Sequence, residues 1–208
     1  MSAEFIEINL QNPDQRTIRR VAKSIREGAI IIYPSDTLYG LGCDITNKQA
    51  IERICRIKGI KPEKANFSFI CRDFTTISTF TKPISNANYK LLKKNLPGPF
   101  TFIFQASNSL PKLMKNRKKT VGIRMPDSAL IDSLLSYLEH PILSTSITNI
   151  DDEFTPYPTD PYEIYETYQH EVDIVLDGGY GKNIPSTVID LTSGQLNMVR
   201  EGLGELVY

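Results

Sequence analysis

Apolar positions along this chain recur with two periods, and the switching between them lays out the elements. Over residues 14–27, Ile18, Val21, Ala22 and Ile25 share one helical face, and Gly28 ends the run. The continuous apolar stretch 29–33 predicts a short buried strand. Asn47 is placed to cap a second helix running to Ile57, with Ile51, Ile54 and Cys55 on its apolar side. Further strands are expected at 67–71, 100–105, 120–124 and 142–146, and helices at 85–95 and 129–138. Residues 149–160, rich in Asp, Thr and Pro, predict a surface loop, followed by a helix over 161–168 and a strand over 172–176. Residues 178–181 predict a flexible turn. Two final strands, 187–191 and 195–199, flank the Thr192-Ser193-Gly194 turn. Such interleaving predicts an α/β fold: a twisted, mixed sheet with flanking helices, built as one domain over residues 1–208.

Composition narrows the class. The longest apolar run is five residues, against the roughly 20 that a membrane span needs, so no membrane segment is expected. Residues 1–4 carry neither a basic flank nor an apolar stretch, so a secretory signal is not expected either. Cys43, Cys55 and Cys71 are an odd, widely spaced set, which suits reduced core thiols in a cytoplasmic protein better than a disulfide framework or zinc site. His140 and His170 are the only histidines, too few for a histidine-rich metal site. The formal net charge of zero hides a polarised chain. Residues 1–124 hold 22 Lys and Arg against 9 Asp and Glu, whereas residues 125–181 hold 12 acidic residues and no Lys or Arg. The basic clusters, among them Arg117, Lys118 and Lys119, suit a polyanion such as RNA or a polyphosphate, or else a solvated surface balanced by the acidic segment.

No Walker A loop and no Gly-x-Gly-x-x-Gly is present, so a bound nucleotide would be held by dispersed Lys, Arg and hydroxyl groups. The most informative segment is Tyr33-Pro34-Ser35-Asp36-Thr37-Leu38-Tyr39-Gly40-Leu41-Gly42. It ends the first strand and continues through glycines, presenting hydroxyls, a carboxylate and flexible backbone where α/β sheets hold small ligands. Ser35 and Asp36 could equally serve only to cap backbone groups.

This decapeptide resembles the opening signature of the YrdC/YciO family, the threonylcarbamoyl-AMP synthase superfamily. The likeness continues in order along the chain. Lys58 falls at the lysine of a Lys-x-Arg element, followed by Pro97-Gly98-Pro99-Phe100-Thr101 and Val121-Gly122-Ile123-Arg124-Met125-Pro126. Ser144-Thr145-Ser146, Ser186-Thr187-Val188-Ile189-Asp190 and Arg200 complete it. The resemblance implies the family's fold with a large basic cleft. It also implies the family's reaction: condensation of L-threonine, bicarbonate and ATP, with Mg²⁺, into threonylcarbamoyl-adenylate for tRNA modification. Under it, Thr37, Arg124, Ser144 and Ser186 contact the amino acid, while Lys58, Lys61, Asn66, Ser146 and Arg200 hold the nucleotide. No general base is evident, no residue is assigned a catalytic role, and no tightly bound cofactor is expected; tRNA-modification proteins are implied as partners. An amino-acid carboxylate suits the fork of Arg124, and phosphate charge suits Lys58 and Arg200.

Three departures fall on substrate-contacting positions. Ile60 stands where synthases carry Arg, Thr148 replaces an Asn, and Cys71 replaces a His. These changes, with the wording Ile54-Cys55-Arg56-Ile57 and residues 66–73, resemble the YciO-like branch. Three functions stay open at this level: synthesis of threonylcarbamoyl-adenylate, a related adenylate or carbamoyl transfer with another substrate, and binding of double-stranded RNA or tRNA through residues 117–119.

Overall fold

The structure, a computed structural model, describes residues 2–111, 119–148 and 157–208. Ten strands form one mixed sheet in the order β1-β8-β2-β3-β7-β4-β6-β5-β9-β10. These are β1 (Glu4–Glu7), β2 (Ile31–Pro34), β3 (Tyr39–Asp44), β4 (Ser68–Ile70), β5 (Phe100–Gln105), β6 (Thr120–Arg124), β7 (Ile142–Ser146), β8 (Ile174–Asp177), β9 (Thr187–Asp190) and β10 (Asn197–Arg200). Parallel pairs join β1 to β8, β8 to β2, β4 to β6 and β5 to β9, and the rest are antiparallel.

Among the described residues six α-helices cover both faces: α1 (Gln15–Arg26), α2 (Lys48–Ile57), α3 (Phe74–Phe80), α4 (Asn86–Asn95), α5 (Ala129–Ser136) and α6 (Pro161–Tyr168). Helix α1 begins where the Asp14 carboxylate accepts the Thr17 N–H, and α2 where Asn47 Oδ1 accepts the Ala50 N–H, each cap worth about 1 kcal/mol. Helices α1 and α5 press Ile18, Val21, Ile25, Leu130, Ile131 and Leu134 onto Ile31, Ile70, Ile142 and Leu176 of the sheet. The opposite face buries Ile51 and Ile54 of α2, Ile77 and Phe80 of α3, Leu92 of α4 and Ile164 of α6 around Phe69 and Phe102.

The expected α/β class and mixed sheet are present, and the strands over 100–105, 120–124 and 142–146 have the expected bounds. Three elements differ. Strand β1, on the sheet edge, has only Phe5 and Ile6 between two exposed Glu residues, so it shows little apolar signal. Helix α3 is rich in Thr and is set by Asp73, whose carboxylate accepts the Thr76 N–H at 2.7 Å. The glycine-rich segment after Thr37 is a regular, fully buried strand, β3, in the interior of the sheet, and not flexible backbone at its margin. Only residues 35–38 form the turn. Of the expected loop 149–160, residues 149–156 lie outside the described residues, as do Arg117 and Lys118.

Candidate functional site

The registers align small residues across four neighbouring strands. Gly42 stands opposite Ser144, Ser144 opposite Ser68, and Ser68 opposite Gly122. Side chains two positions apart share a face, so this row lies on the same side as Ile31, Ile142, Ile70 and Arg124. Helices α1 and α5 cover the apolar part of that side, and the row of small residues lies next to it. Tyr33 lies over the glycine end: a Cβ on Gly40 would meet its ring at 3.1 Å, as would one on Gly42. Its hydroxyl donates to Ser144 Oγ at 2.6 Å, and burial pushes the phenol up to about 12.

Beside this row the β2–β3 turn meets the end of β6. Arg124 Nη2 donates to Asp36 Oδ1 at 2.8 Å and to Thr37 Oγ1 at 3.0 Å. The two charged side chains are 13% and 8% exposed, so the pair is largely shielded from water. Asp36 Oδ2 also accepts the Asp127 N–H at 3.3 Å. Burial raises the Asp36 carboxyl above its ordinary range, with Arg124 opposing the rise. Arg124 Nε is buried with no hydrogen-bond partner from the described residues. A buried guanidinium N–H without an acceptor is costly unless a ligand supplies one.

A second cluster sits where α2 ends. Lys58, 5% exposed, donates from Nζ to Ser146 O at 2.8 Å and to Thr148 O. Burial pulls this ammonium down to about 8. Ser146 Oγ donates to Thr148 O at 3.0 Å, while Thr148 Oγ1 is buried without a partner from the described residues. A third cluster joins β5, β9 and β10. Ser186 and Thr101 share a hydroxyl hydrogen bond of 2.8 Å, and Arg200 donates from Nε and Nη2 to Ser186 O. Burial lowers the Arg200 guanidinium pKa, and Arg200 is close enough to Arg124 for each cation to feel the other. Thr187, next in line, has its hydroxyl between Gly202 N, Gly204 N and Gly204 O, which makes it a structural latch for the C-terminal strap.

Thr37, Arg124 and Ser144 thus belong to the Arg124 side of the sheet, Lys58 and Ser146 meet where α2 ends, and Ser186 and Arg200 meet between β5, β9 and β10. Lys61 and Asn66 are exposed on the segment between α2 and β4. Lys119 is exposed and has φ 52°. Cys71 lines a cavity of about 410 Å³ with Pro97, Met125, Pro126, Asp127 and Leu135, and burial pushes its thiol above the usual range. Asp36, Tyr33 and Thr101 are given no site role by the sequence, and Thr148 enters there only as a departure at a substrate-contacting position. Asp36 is legible as a carboxylate in the ligand-facing segment or as a turn cap, but not as the partner of Arg124, 88 positions away. Among the described residues no group of three His, Cys, Asp or Glu side chains could hold a metal ion. No described helix is long and apolar enough to cross a membrane.

Comparison with known proteins decides what this architecture belongs to. The family model Sua5/YciO/YrdC, described as "Telomere recombination", matches residues 23–202. The chain is also 40% identical to YciO of Escherichia coli K12 over 205 residues, 98% of each protein. The chain belongs to the Sua5/YciO/YrdC family. Its fold superposes on the crystal structure of E. coli YciO with a TM-score of 0.89 at 38% identity, covering 98% of this chain and 97% of the other. Sua5 of Pyrococcus abyssi, a threonylcarbamoyl-AMP synthase, is 31% identical over 186 residues; the match takes in 89% of this chain and 54% of that protein. The P. abyssi Sua5 structure complexed with L-threonine superposes with a TM-score of 0.85 at 28% identity, covering 95% of this chain and 57% of that one. Family membership thus extends to threonylcarbamoyl-AMP synthases, with the whole-length likeness on the YciO side.

Proposed function

We propose that this chain binds ATP and L-threonine on the Arg124 side of the sheet and joins them, with bicarbonate, into threonylcarbamoyl-adenylate, in a cytoplasmic setting. The observation that carries this reading is the buried Arg124, whose Nε lacks a partner among the described residues while Nη2 is fixed by Asp36 and Thr37. A guanidinium so anchored has little freedom still to lose on binding and offers its remaining N–H groups to one carboxylate. The threonine amine would bond to the bicarbonate carbon with loss of water. A carbamate oxygen would then bond to the α-phosphorus of ATP as the bond to pyrophosphate breaks.

The chain's own residues contribute position and charge. Arg124 orients the amino acid, Arg200 faces the developing phosphate charge, and Lys58 offers the one ammonium hydrogen not committed to Ser146 and Thr148 carbonyls. Thr148 Oγ1, buried and without a partner from the described residues, is a natural contact for a polar ligand atom beside Lys58. Mg²⁺ would enter as the counter-ion of the triphosphate.

Calorimetric titration with ATP and L-threonine in bicarbonate buffer tests the reading. Binding of both is expected, with threonine tighter when ATP is present; absence of ATP binding by the folded protein contradicts it. A pH series adds a sharper prediction. Lys58 carries its charge below about pH 8 and loses it above. ATP affinity is therefore expected to hold steady below pH 7 and to fall roughly tenfold between pH 7 and 9.5, the loss of one phosphate contact worth about 1.4 kcal/mol. Lys58→Arg, which stays charged throughout, flattens the profile. A flat wild-type profile would remove Lys58 from the phosphate site.

A further inference from the structure

Tyr33 and Arg124 stand at opposite ends of the row of small residues, one on β2 and the other on β6. Between them Gly42, Ser144, Ser68 and Gly122 carry nothing larger than a hydroxymethyl group. The head of Arg124 nevertheless reaches the turn that leaves Tyr33, where Asp36, three residues on, accepts its Nη2 at 2.8 Å. Ser144, on the same side of the sheet, touches the Tyr33 hydroxyl directly at 2.6 Å.

Counting hydrogens at Ser144 shows what is missing. The side chain is buried, 5% exposed, with one hydrogen to give and two lone pairs to fill. Tyr33 donates into one lone pair, and burial keeps its phenol protonated, with a pKa pushed up to about 12. A hydrogen bond has a single donor, so the Ser144 hydrogen has to find another acceptor, and among the described residues none takes it. Gly40 keeps the flank of this hydroxyl clear, since a Cβ there would stand 3.3 Å from Ser144 Oγ. The Ser144 O–H and Arg124 Nε are thus two buried donors on one side of the sheet without an acceptor from the described residues. Such donors are costly unless a ligand supplies acceptor oxygens.

We propose that Tyr33 is a positioning residue: by donating to Ser144 it leaves the Ser144 hydrogen only one use, donation to an acceptor oxygen of the amino acid held at Arg124. The proposal deepens the amino-acid reading given above and rests on it. It accounts for the position of Tyr33, whose ring fills the space over Gly40 and Gly42 and so brings its hydroxyl to Ser144.

The test is equilibrium binding of L-threonine, with ATP present, to the wild type, Tyr33→Phe, Ser144→Ala and the double variant, with Tm recorded for each. Phenylalanine keeps the ring over the glycines and removes only the hydroxyl. Tyr33→Phe is expected to weaken threonine about tenfold, and Ser144→Ala at least as much. The double variant is expected to stay within about twofold of Ser144→Ala, because Tyr33 acts only through that hydroxyl. A merely structural Tyr33 would instead weaken threonine by the same factor in both backgrounds, and that result overturns the assignment. Threonine bound by Tyr33→Phe or by Ser144→Ala as tightly as by the wild type overturns it as well. No threonine binding by the wild type overturns the amino-acid reading and this assignment together.

Discussion

Arg124→Ala is expected to lower the unfolding free energy by about 3–5 kcal/mol at pH 7, because it strands the buried Asp36 carboxylate without its countercharge. The sign of the pH dependence distinguishes this cause from simple loss of packing. Burial already holds the Asp36 carboxyl above its ordinary range, and Arg124 is the main group opposing that rise. Without Arg124 the folded-state pKa moves further above the unfolded value of 3.8. A group raised in the folded state destabilises most when ionised, so the deficit is full at neutral pH and shrinks as pH falls through the folded pKa. Asp36→Asn in the Arg124→Ala background should return part of the lost stability at pH 7. Denaturant unfolding at pH 7 and pH 4.5 measures all three variants. A deficit below 1 kcal/mol, or one equal at both pH values, would mean the pair is not the buried clamp described above.

The second large effect concerns Gly42. An added Cβ there would stand 2.7 Å from Leu143 O on the neighbouring strand and 2.7 Å from Ile142 Cγ2, with Tyr33 Cε1 at 3.1 Å. The first of these is backbone, which cannot turn aside as a side chain can. Strand β3 is paired on both sides, so it cannot retreat without lengthening hydrogen bonds to β2 or β7. Gly42→Ala is expected to cost about 3 kcal/mol, at the upper end of overpacking. For a chain of this size that corresponds to a fall in Tm of roughly 10 °C. Gly179, with open space around it, tolerates the same methyl group sterically and is penalised only through its positive φ, by about 1 kcal/mol. Equal Tm changes at the two glycines would show that β3 yields where the fold requires it to be rigid.

Gly42 also shows what the sequence conceals. A Gly-x-Gly in a polar context reads as flexible backbone, yet here the glycines sit in a buried strand because Tyr33 occupies the space above them. Edge strand β1 escapes for the opposite reason: its exposed Glu residues blunt the sheet edge and dilute the apolar alternation. Elements with clean signals, such as α1, and α2 with its Asn47 cap, were legible almost to the residue. The same divide runs through the site. Arg124, Thr37 and Ser186 were legible as residue types within motifs. That Arg124 is held by Asp36 was not, since the two are brought together only by the strand order β2-β3-β7-β4-β6. The partners of Lys58 are backbone carbonyls, which carry no residue identity and leave no trace in a sequence.

The proposed function joins these clusters in one account, with the anchored Arg124 for a carboxylate and Lys58 and Arg200 for phosphates. The most direct measurement is pyrophosphate release from Mg-ATP by the purified protein, with L-threonine and bicarbonate supplied together and singly. The account predicts release that requires both co-substrates and falls at least a hundredfold in Arg124→Ala, the scale of about 2.7 kcal/mol of transition-state stabilisation. Release that ignores threonine, or no release from folded protein that still binds ATP, would contradict it.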